Sequence, residues 1–368
     1  MRLFSNELVF RGHPDKVCDQ ISDALVDEFI KGDKKSRCAI ETMGGKGKIF
    51  ITGEVTSKGK VNISKVVKSV LKDVGYSSNY EIINNIGVQS SDIAMGTNDE
   101  VMGAGDQGMM FGYACSDNDL YLPTAMVILQ ELSRKYDVLR KSDSRFKSDG
   151  KAQITGYYSD DMKLLRIKTF TISYQNTEIE RNETDKIIKD ICDNICSKYN
   201  IEVEEYLINP TGKFEIGGFE GDAGLTGRKI VVDSYQGFAP VGGGAFSGKD
   251  PTKVDRSAAY YCRYVAKNIV ASGLAKECEV QVAYAIGMCD PVSLNVFTYG
   301  TSKVSDLEIC KMIKEIFDFR PGHIISNLKL LDLNYRELAR NGHFGKENID
   351  LPYEKLDKVN EIKKYFNL

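Results

Sequence analysis

The distribution of apolar residues predicts an amphipathic helix near the N terminus of the chain. Between Lys16 and Lys31, apolar side chains recur at helical spacing, which places them on one face of a helix. Two short apolar segments follow, residues 38–43 and 49–55, and the glycine-rich sequence between them predicts a hairpin. A second helical pattern covers residues 62–75. The first unit therefore has the order helix, strand, strand, helix.

The same order of elements is predicted twice more along the chain. The second unit contains a helix, two strands and a helix at residues 123–140, 151–158, 163–174 and 183–199. The third contains them at residues 254–274, 278–287, 292–300 and 305–317. Three such units predict an α+β fold of three similar domains, in which helices pack on largely antiparallel sheets around a pseudo-threefold axis.

These units divide the chain into three predicted domains, residues 1–101, 102–216 and 217–368. Residues 217–248, at the start of the third domain, hold ten of the 33 glycines in the chain. Glycine has no side chain and lets the backbone come close to a ligand. We therefore expect the chemistry of the protein to lie in this segment.

Composition and charge narrow the classes of function. The 49 lysines and arginines nearly balance the 52 acidic residues, and the net charge of −3 gives no general attraction to nucleic acid or to anionic membranes. No run of about 18 apolar residues occurs, and the N-terminal segment lacks the apolar region of a signal peptide. Cys192 and Cys196 could form half of a metal site, but no matching pair accompanies them. We expect a cytoplasmic protein with buried, reduced thiols.

The sequence GHPDK, Gly12 to Lys16, lies immediately before the first predicted helix, where unpaired backbone N–H groups attract anions. His13 and Lys16 could contact phosphate oxygens, while Asp15 could bind a magnesium ion that bridges them. Pro14 and Asp15 equally fit an ordinary helix start. Both interpretations stay open on this motif alone.

Carboxylates in two other regions have similarly divided interpretations. The sequence GAGDQG, residues 103–108, could present Asp106 to a ligand amine or hydroxyl, although a turn closed by the Asp side chain explains it as well. Glu41 and Glu54 interrupt apolar strands, so each either binds a cation or a ligand amine or points to solvent. Asp149, with Lys151 two residues later, indicates no more than a turn.

Two basic segments could bind phosphate. In GDAGLTGRK, residues 221–229, Arg228 and Lys229 follow a flexible bend with Asp222 opposite, which suits phosphate recognition or an ordinary basic surface. The second segment, GGGAFSGKDP, residues 242–251, has the glycine and lysine spacing of a P-loop.

The second segment does not have the context of a P-loop. Asp250 stands where the motif requires Ser or Thr, and the preceding residues have little strand character. Three cations nevertheless fall within eight residues, Lys249, Lys253 and Arg256, with Asp250 and Asp255 available for a metal ion. A different polyphosphate site at the start of a helix near residue 254 is therefore predicted.

Taken together, the motifs GHPDK, GAGDQG, NPTGKF, GDAGLTGRK and GGGAFSGKDPTKVDRSAAY closely resemble those of the S-adenosylmethionine synthetase, or methionine adenosyltransferase, family. The match runs in order over nearly the whole chain, to NGHFG at residues 341–345. The resemblance implies that methionine sulfur attacks the ribose C5′ of ATP, and that the displaced triphosphate is hydrolysed to pyrophosphate and phosphate. A thioether sulfur is already a nucleophile, so positioning and neutralisation of the leaving group carry such a reaction.

The resemblance also implies roles for individual residues. Those implied as catalytic are His13, Asp106, Lys151, Arg228 and Lys249. Those implied to bind methionine are Glu54, Gln89, Asp222 and Lys253. The implied ATP site comprises His13, Asp149, Lys151, Lys213, Phe214, Asp222, Arg228, Lys229, Ala245 and Lys249. Asp15 and Asp255 would hold Mg²⁺, about two ions per site, and Glu41 would contribute to a K⁺ site.

Sites of this family lie between the subunits of a tight homodimer, which is often paired into a tetramer. Three features depart from the pattern of the family. Arg11 stands where a glutamate is usual, Lys213 stands where an arginine is usual, and residues 94–102 are shorter than the mobile loop that covers the site.

Two alternatives remain at the level of the sequence. One is another magnesium-dependent ATP enzyme, a phosphotransferase that uses the segment from Gly242 to Asp250. The other is a nucleotide-binding relative without catalytic activity. The products formed from ATP and methionine distinguish all three.

Overall fold

The computed structural model describes residues 1–88, 103–177 and 181–368 of the chain. Helices are α1 (Pro14–Gly32), α2 (Ile63–Val74), α3 (Thr124–Ser142), α4 (Arg181–Lys198), α5 (Ile230–Asp233), α6 (Val254–Ala271), α7 (Asp306–Ile316), α8 (Pro321–Asn327), α9 (Tyr335–Leu338) and α10 (Val359–Tyr365). Strands are β1 (Arg2–Val9), β2 (Arg37–Gly45), β3 (Lys48–Thr56), β4 (Glu81–Gly87), β5 (Gly108–Cys115), β6 (Phe146–Tyr158), β7 (Leu164–Asn176), β8 (Val203–Ile208), β9 (Gly224–Leu225), β10 (Glu277–Tyr284) and β11 (Ser293–Phe297).

The three predicted units of helix, strand, strand and helix are confirmed. They are α1-β2-β3-α2, α3-β6-β7-α4 and α6-β10-β11-α7. Local sequence determines several of their ends. Asn62 caps α2 by accepting a hydrogen bond from Lys65 N, and Gly75 ends that helix with a φ of 91°. Ser305 and Glu308 form a reciprocal capping box at the start of α7.

Strands from outside the units complete each sheet in a cyclic order. The sheets described have the orders β4-β3-β2-β9, β1-β6-β7-β8 and β11-β10-β5. The strand that precedes the first unit, β1, joins the sheet of the second; β5 precedes the second unit and joins the third; β9 precedes the third and joins the first. The pairing is antiparallel except for β3 with β4 and β7 with β8. The α+β fold with a threefold arrangement is thereby confirmed, whereas the three domain boundaries stay a prediction.

Helix α1 is buried on nearly all sides over most of its length. The predicted apolar face, which includes Val17 and Ile21, packs in the core as expected. The opposite face is also buried and carries Lys16, Asp19 and Asp23. These charges are satisfied by other segments of the chain, since charged side chains are rarely buried without partners. The helix therefore connects the units and positions residues at its N terminus.

Two further predictions can be compared with the structure. Cys192 and Cys196 lie on α4 with their side chains buried in the core, as expected for structural thiols. Among the helices of the described residues, none combines the length and the apolar character needed to cross a bilayer.

Candidate active site

The N-terminal turn of α1 brings His13 and Asp15 together. His13 occupies the N-cap position, and its Nδ1 accepts a hydrogen bond from the backbone N–H of Asp15 at 3.2 Å. The Asp15 carboxylate is buried and accepts hydrogen bonds from Leu225 N at 2.9 Å and from Lys229 Nζ at 2.5 Å. The two basic residues of the 221–229 segment thus lie beside the helix start, because Arg228 Nε is also 3.7 Å from the Asp15 carboxylate.

The loop that carries Arg228 and Lys229 is held against α1 through its backbone. A side chain at Gly224 would collide with the carbonyl of Pro14, so only glycine permits this approach. Three residues along, Gly227 N donates to Asp19 Oδ1 at 2.9 Å. The backbone of this loop therefore has a fixed position relative to the first two turns of α1.

A buried ion-pair network lies behind the same loop. Lys16 is fully buried, and its ammonium donates to Asp19 Oδ2 at 2.8 Å and to Asp233 Oδ1. Burial opposes the charge of Lys16, but the two carboxylates overcome this effect and raise its pKa. The alternative in which Lys16 contacts phosphate is therefore wrong. Lys16 instead links α1 to α5, the helix that follows the loop.

Asp149, Lys151 and Asp222 complete the group of residues around His13 and Asp15. Asp149 and Lys151 lie on β6, with Asp149 buried and accepting a hydrogen bond from Gly218 N at 2.7 Å. Burial raises the pKa of Asp149 to about 6. Asp222 follows on the same segment, where its N–H bonds Gly218 O at 3.0 Å. We call His13, Asp15, Asp149, Lys151, Asp222, Arg228 and Lys229 the α1 half-site.

His13 is neutral at physiological pH in this setting. Burial, and then the nearby cations Lys229 and Lys151, lower its pKa to about 4, against the opposing carboxylates of Asp15 and Asp222. Because Nδ1 accepts the N–H of Asp15, the proton of the neutral ring lies on Nε2. His13 therefore offers a hydrogen-bond donor to a ligand without carrying a charge.

A titration by NMR tests this assignment. In the ligand-free protein, the ring of His13 should titrate near pH 4 rather than at the ordinary value of 6.5. Adding inorganic triphosphate should raise the pKa, because nearby negative charge favours the imidazolium. The chain has three histidines, so a His13→Asn variant identifies the signal.

The lowered pKa of His13 also makes the stability of the folded protein depend on pH. Between pH 6.5 and 4 the unfolded chain binds more protons than the folded chain at this residue, so stability should fall as the pH falls through this window. The His13→Asn variant should lose less stability over that window in urea unfolding. A wild-type ring that titrates near 6.5 without ligand would contradict the assignment.

The start of α6 gathers a second group of predicted residues. Lys249 Nζ lies 2.6 Å from Asp255 Oδ2 in the first turn of α6. The backbone of Lys249 forms a bridge with Ala39 on β2, and Ala39 pairs in turn with Glu54 on β3. A side chain at Gly244 would overlap the Asp255 carboxylate, so the glycine-rich segment closes tightly over that group.

Lys253 and Asp106 also lie near Lys249 and Asp255. Lys253 occupies the N-cap position of α6 and pairs with Asp250 at 2.8 Å. The turn that contains Asp106 leads into Gly108, where an added Cβ would lie 3.9 Å from the Asp255 carboxylate. The Asp106 carboxylate accepts the N–H of Gln107, as in the turn that the sequence allowed. We call Glu54, Asp106, Lys249, Lys253 and Asp255 the α6 half-site. Ala245 lies against the loop of the α1 half-site, since a Cβ added at Gly227 would be 2.7 Å from its side chain.

The two half-sites are anchored at different positions along β2 within one protomer. Strand β2 links them, because Gly44 pairs with Gly224 beside the α1 half-site, whereas Ala39 pairs with Lys249 of the α6 half-site. Five residues of extended strand span about 16 Å.

Lys213, Phe214 and Glu41 belong to neither half-site. Lys213 is exposed and pairs with Glu215 at 3.0 Å, and Phe214 is half-buried with its carbonyl bonded to Asn176 N. Glu41 is exposed on β2. Gln89 and residues 94–102 lie outside the described residues.

Two charged residues near Lys249 are excluded from ligand binding by their contacts. The buried Asp250 carboxylate accepts hydrogen bonds from Cys38 N at 2.6 Å and from Thr252 N at 2.9 Å, in addition to Lys253. The prediction that Asp250 is available for a metal ion is therefore wrong. Arg256 is also buried and pairs with Asp23 at 2.6 Å, so it adds no cation to the half-site.

The unusual Arg11 does not face the α1 half-site. It is buried and bonds Asp137 of α3 at 3.2 Å and Asp73 of α2. Asp73 also pairs with Arg336 at 2.8 Å and Arg340 at 3.0 Å. Arg11 therefore joins the first and second units to the C-terminal segment, and sequence position alone did not indicate this role.

Replacing Arg11 should affect stability and not nucleotide binding. In an Arg11→Met variant, the loss of these charge-assisted hydrogen bonds should lower the free energy of unfolding by about 1–3 kcal/mol, measured in urea. The KM for ATP should stay within about twofold of the wild type. Arg166→Met, which breaks an exposed pair with Glu204, is the matched control with an expected loss below about 1 kcal/mol. A raised KM at unchanged stability would contradict this role.

The carboxylates of Asp15 and Asp255 fit a magnesium ion that is bound together with phosphate. Among the described residues, no group of three or more His, Cys, Asp or Glu side chains could hold a metal ion by itself. Mg²⁺ commonly uses one or two carboxylates and completes its shell with phosphate oxygens and water. Asp15 and Asp255 each offer one carboxylate that is held by a lysine, Lys229 and Lys249 respectively. Each carboxylate is thus placed beside a cation that a metal ion could replace.

Comparison with known proteins decides the family. Models of the N-terminal, central and C-terminal domains of S-adenosylmethionine synthetase match residues 1–95, 101–214 and 216–355 in this order. The chain belongs to the S-adenosylmethionine synthetase family. It is therefore an enzyme of the methionine adenosyltransferase class.

Curated relatives of this synthetase family cover nearly the whole chain. S-adenosylmethionine synthases of Clostridium tetani and Staphylococcus epidermidis are each 46% identical to it, over 98% of this chain and 99% and 97% of their own lengths. The S-adenosylmethionine synthase of Petrotoga mobilis is 44% identical over 98% of both chains.

Proposed function

We propose that this synthetase forms S-adenosylmethionine by attack of the methionine sulfur on ribose C5′ of ATP, and that it hydrolyses the displaced triphosphate to pyrophosphate and phosphate. The observation that carries the proposal is the set of cations around neutral His13, since Lys151, Arg228 and Lys229 all belong to the α1 half-site. We further propose that the enzyme acts in the cytoplasm.

The α1 half-site suits a leaving triphosphate. Arg228 and Lys229 are held by a loop whose backbone is fixed on α1, so their positive charges need little reorganisation when negative charge develops. The Nε2–H of His13 can donate to the oxygen that leaves C5′. No general base is required for sulfur attack, because a thioether sulfur carries a free electron pair.

The metal ions of the family fit the same chemistry. Asp15 and Asp255 would hold Mg²⁺, which when bound supplies positive charge to the triphosphate. Lys229 and Lys249 would then be released from those carboxylates and could contact phosphate oxygens. Glu41 has no ion pair among the described contacts of the chain and would contribute to the proposed K⁺ site.

We propose that the complete site forms between two protomers. The α1 half-site of one protomer would face the α6 half-site of its partner, in a homodimer or a dimer of dimers. Large apolar side chains support this interface: Met43 is 53% exposed and Phe50 is 37% exposed on the face of β2 and β3 that carries Glu41 and Glu54. Met109 and Phe297, on the sheet of the third unit, are 54% and 45% exposed.

Product analysis tests the proposed function. The purified protein is incubated with ATP, methionine, Mg²⁺ and K⁺, and S-adenosylmethionine, pyrophosphate and phosphate are quantified by chromatography. Equal formation of all three is the expected result. Phosphate without a sulfonium product would indicate a phosphotransferase, and ATP binding without any product would indicate a relative without catalytic activity.

A further inference from the structure

A cleft of about 590 Å³ lies behind the α1 half-site and is not part of it. It is formed by the end of α2, the end of β7 and residues 215–220. The charged side chains that line it are Lys147, Glu215 and Glu220, and the aromatic ones are Tyr76, Tyr80 and Phe219. Its volume is in the range of sites that bind small metabolites.

The cleft and the α1 half-site share a wall. The Tyr76 hydroxyl donates to the carbonyl of Gly12 at 2.6 Å, directly before His13. The hydroxyl also touches Gly218, where an added Cβ would lie 2.6 Å from it. Gly218 N in turn donates to the Asp149 carboxylate at 2.7 Å. A molecule that moves Tyr76 would therefore move the backbone beside two residues of the half-site.

The polar groups of the cleft indicate the kind of ligand. The Glu220 carboxylate accepts a hydrogen bond from the Tyr80 hydroxyl at 3.0 Å, which holds the carboxylate at the aromatic wall. Lys147 is exposed and has no ion pair among the described residues. The second carboxylate of the cleft, Glu215, is paired with Lys213 at 3.0 Å. Glu220 and Lys147 beside the aromatic rings therefore match the ammonium, the carboxylate and the apolar side chain of a free amino acid.

We propose that this cleft is a regulatory site for an α-amino acid with an aromatic or long apolar side chain. Glu220 binds its ammonium group, Lys147 binds its carboxylate, and the rings of Tyr76 and Tyr80 contact its side chain. The regulatory part of this inference rests on the proposed function, because it requires that the α1 half-site binds ATP. The binding part does not depend on catalysis.

Fluorescence of L-tryptophan tests the binding. The chain contains no tryptophan, so the indole of the ligand can be excited selectively. We expect saturable binding to the wild-type protein, weakened about tenfold by Glu220→Gln and by Lys147→Gln. Tryptamine, which lacks the carboxylate, should bind with the same affinity to the wild type and to Lys147→Gln.

Glu315→Gln is the matched control, because Glu315 is an exposed carboxylate that accepts a tyrosine hydroxyl, that of Tyr365, at 2.9 Å outside the cleft. It should leave L-tryptophan binding unchanged. Affinity for L-tryptophan that is the same in the wild type, Glu220→Gln and Lys147→Gln would overturn the proposal, since binding would then occur elsewhere, as in the methionine site. Absence of saturable binding would overturn it as well.

The regulatory coupling is tested separately. The affinity for the β,γ-imido analogue of ATP is measured with and without saturating L-tryptophan, and the reverse titration is also made. Both should change by the same factor, because coupling between two sites is reciprocal. Binding without any coupling would overturn the regulatory role and leave the synthetase function untouched. Displacement of L-tryptophan by L-methionine, absent in Glu220→Gln, would identify the substrate itself as a ligand of this cleft.

Discussion

A mixture of His13→Ala and Lys249→Ala variants should form S-adenosylmethionine, although each variant alone should be almost inactive. His13 belongs to the α1 half-site and Lys249 to the α6 half-site, whose backbone anchors on β2, Gly44 and Ala39, are about 16 Å apart along the strand. If the site forms between protomers, a mixed dimer has one site with both substitutions and one site with neither. The intact site restores the reaction.

The expected size of this effect is large. Loss of one preorganised group that stabilises a transition state lowers turnover about 10²–10³-fold. After full exchange of subunits, half of the dimers are mixed and half of their sites are intact, so the mixture should reach about a quarter of the wild-type rate. Turnover is measured after subunits with different tags have been shown to exchange.

The matched control uses two variants of the same half-site. A mixture of His13→Ala and Lys229→Ala should stay inactive, because every site of a mixed dimer then carries one substitution. A His13→Ala and Lys249→Ala mixture that is no faster than its components, after proven exchange, would show that the site is contained in one protomer.

Replacement of Lys16 by methionine should destabilise the protein strongly and also slow turnover. The ammonium of Lys16 is the partner of Asp19 at 2.8 Å and of Asp233, and all three groups are buried. Removing one partner of a buried ion pair costs about 3–5 kcal/mol, because the remaining charges have no compensation. Urea unfolding measures this loss.

The pH dependence separates this mechanism from a simple packing defect. Burial already raises the pKa of Asp233 to about 7, and loss of Lys16 should raise it further. A carboxyl group with a raised folded pKa destabilises the protein as the pH rises, so the difference between variant and wild type should shrink on acidification. A difference that is independent of pH would contradict the role of the buried charges.

A matched substitution on the same helix provides the control. Lys31 is exposed and pairs only with Glu28 at 3.7 Å among the described contacts. Lys31→Met should therefore change stability by less than about 1 kcal/mol.

For Lys16→Met, we expect a lower kcat together with a higher KM for ATP, since the loop with Arg228 and Lys229 loses its support.

Local patterns were enough to predict the units but not their assembly. The apolar spacing in α1 and the glycine-rich turn between β2 and β3 are visible in short windows of sequence. No such signal links β1 to β6, because an extended segment gives no information about a partner 150 positions away. The cyclic exchange of strands therefore became visible only in three dimensions.

For the candidate site as well, the sequence predicted the residues but not their arrangement. Glycine-rich motifs indicated most of its residues, but they did not indicate that these residues form two groups. Lys16 resembled a phosphate ligand because it follows His13 in a motif, whereas its position on the helix turns it toward Asp19 and Asp233. Asp19 lies three residues further along the helix and could have been found by that spacing, but Asp233 could not.

The exchange of strands has a consequence for the growing polypeptide. Strand β1 is the first to leave the ribosome, yet its partner β6 ends at Tyr158, and β5 must wait for β10, which ends at Tyr284. At typical rates of synthesis β1 remains without its partner for roughly 10–30 s. Unpaired strand edges promote aggregation. A chain that stalls in its last third, before Tyr284, has completed the first two sheets and would therefore present one unfinished sheet, that of β5, to chaperones and proteases.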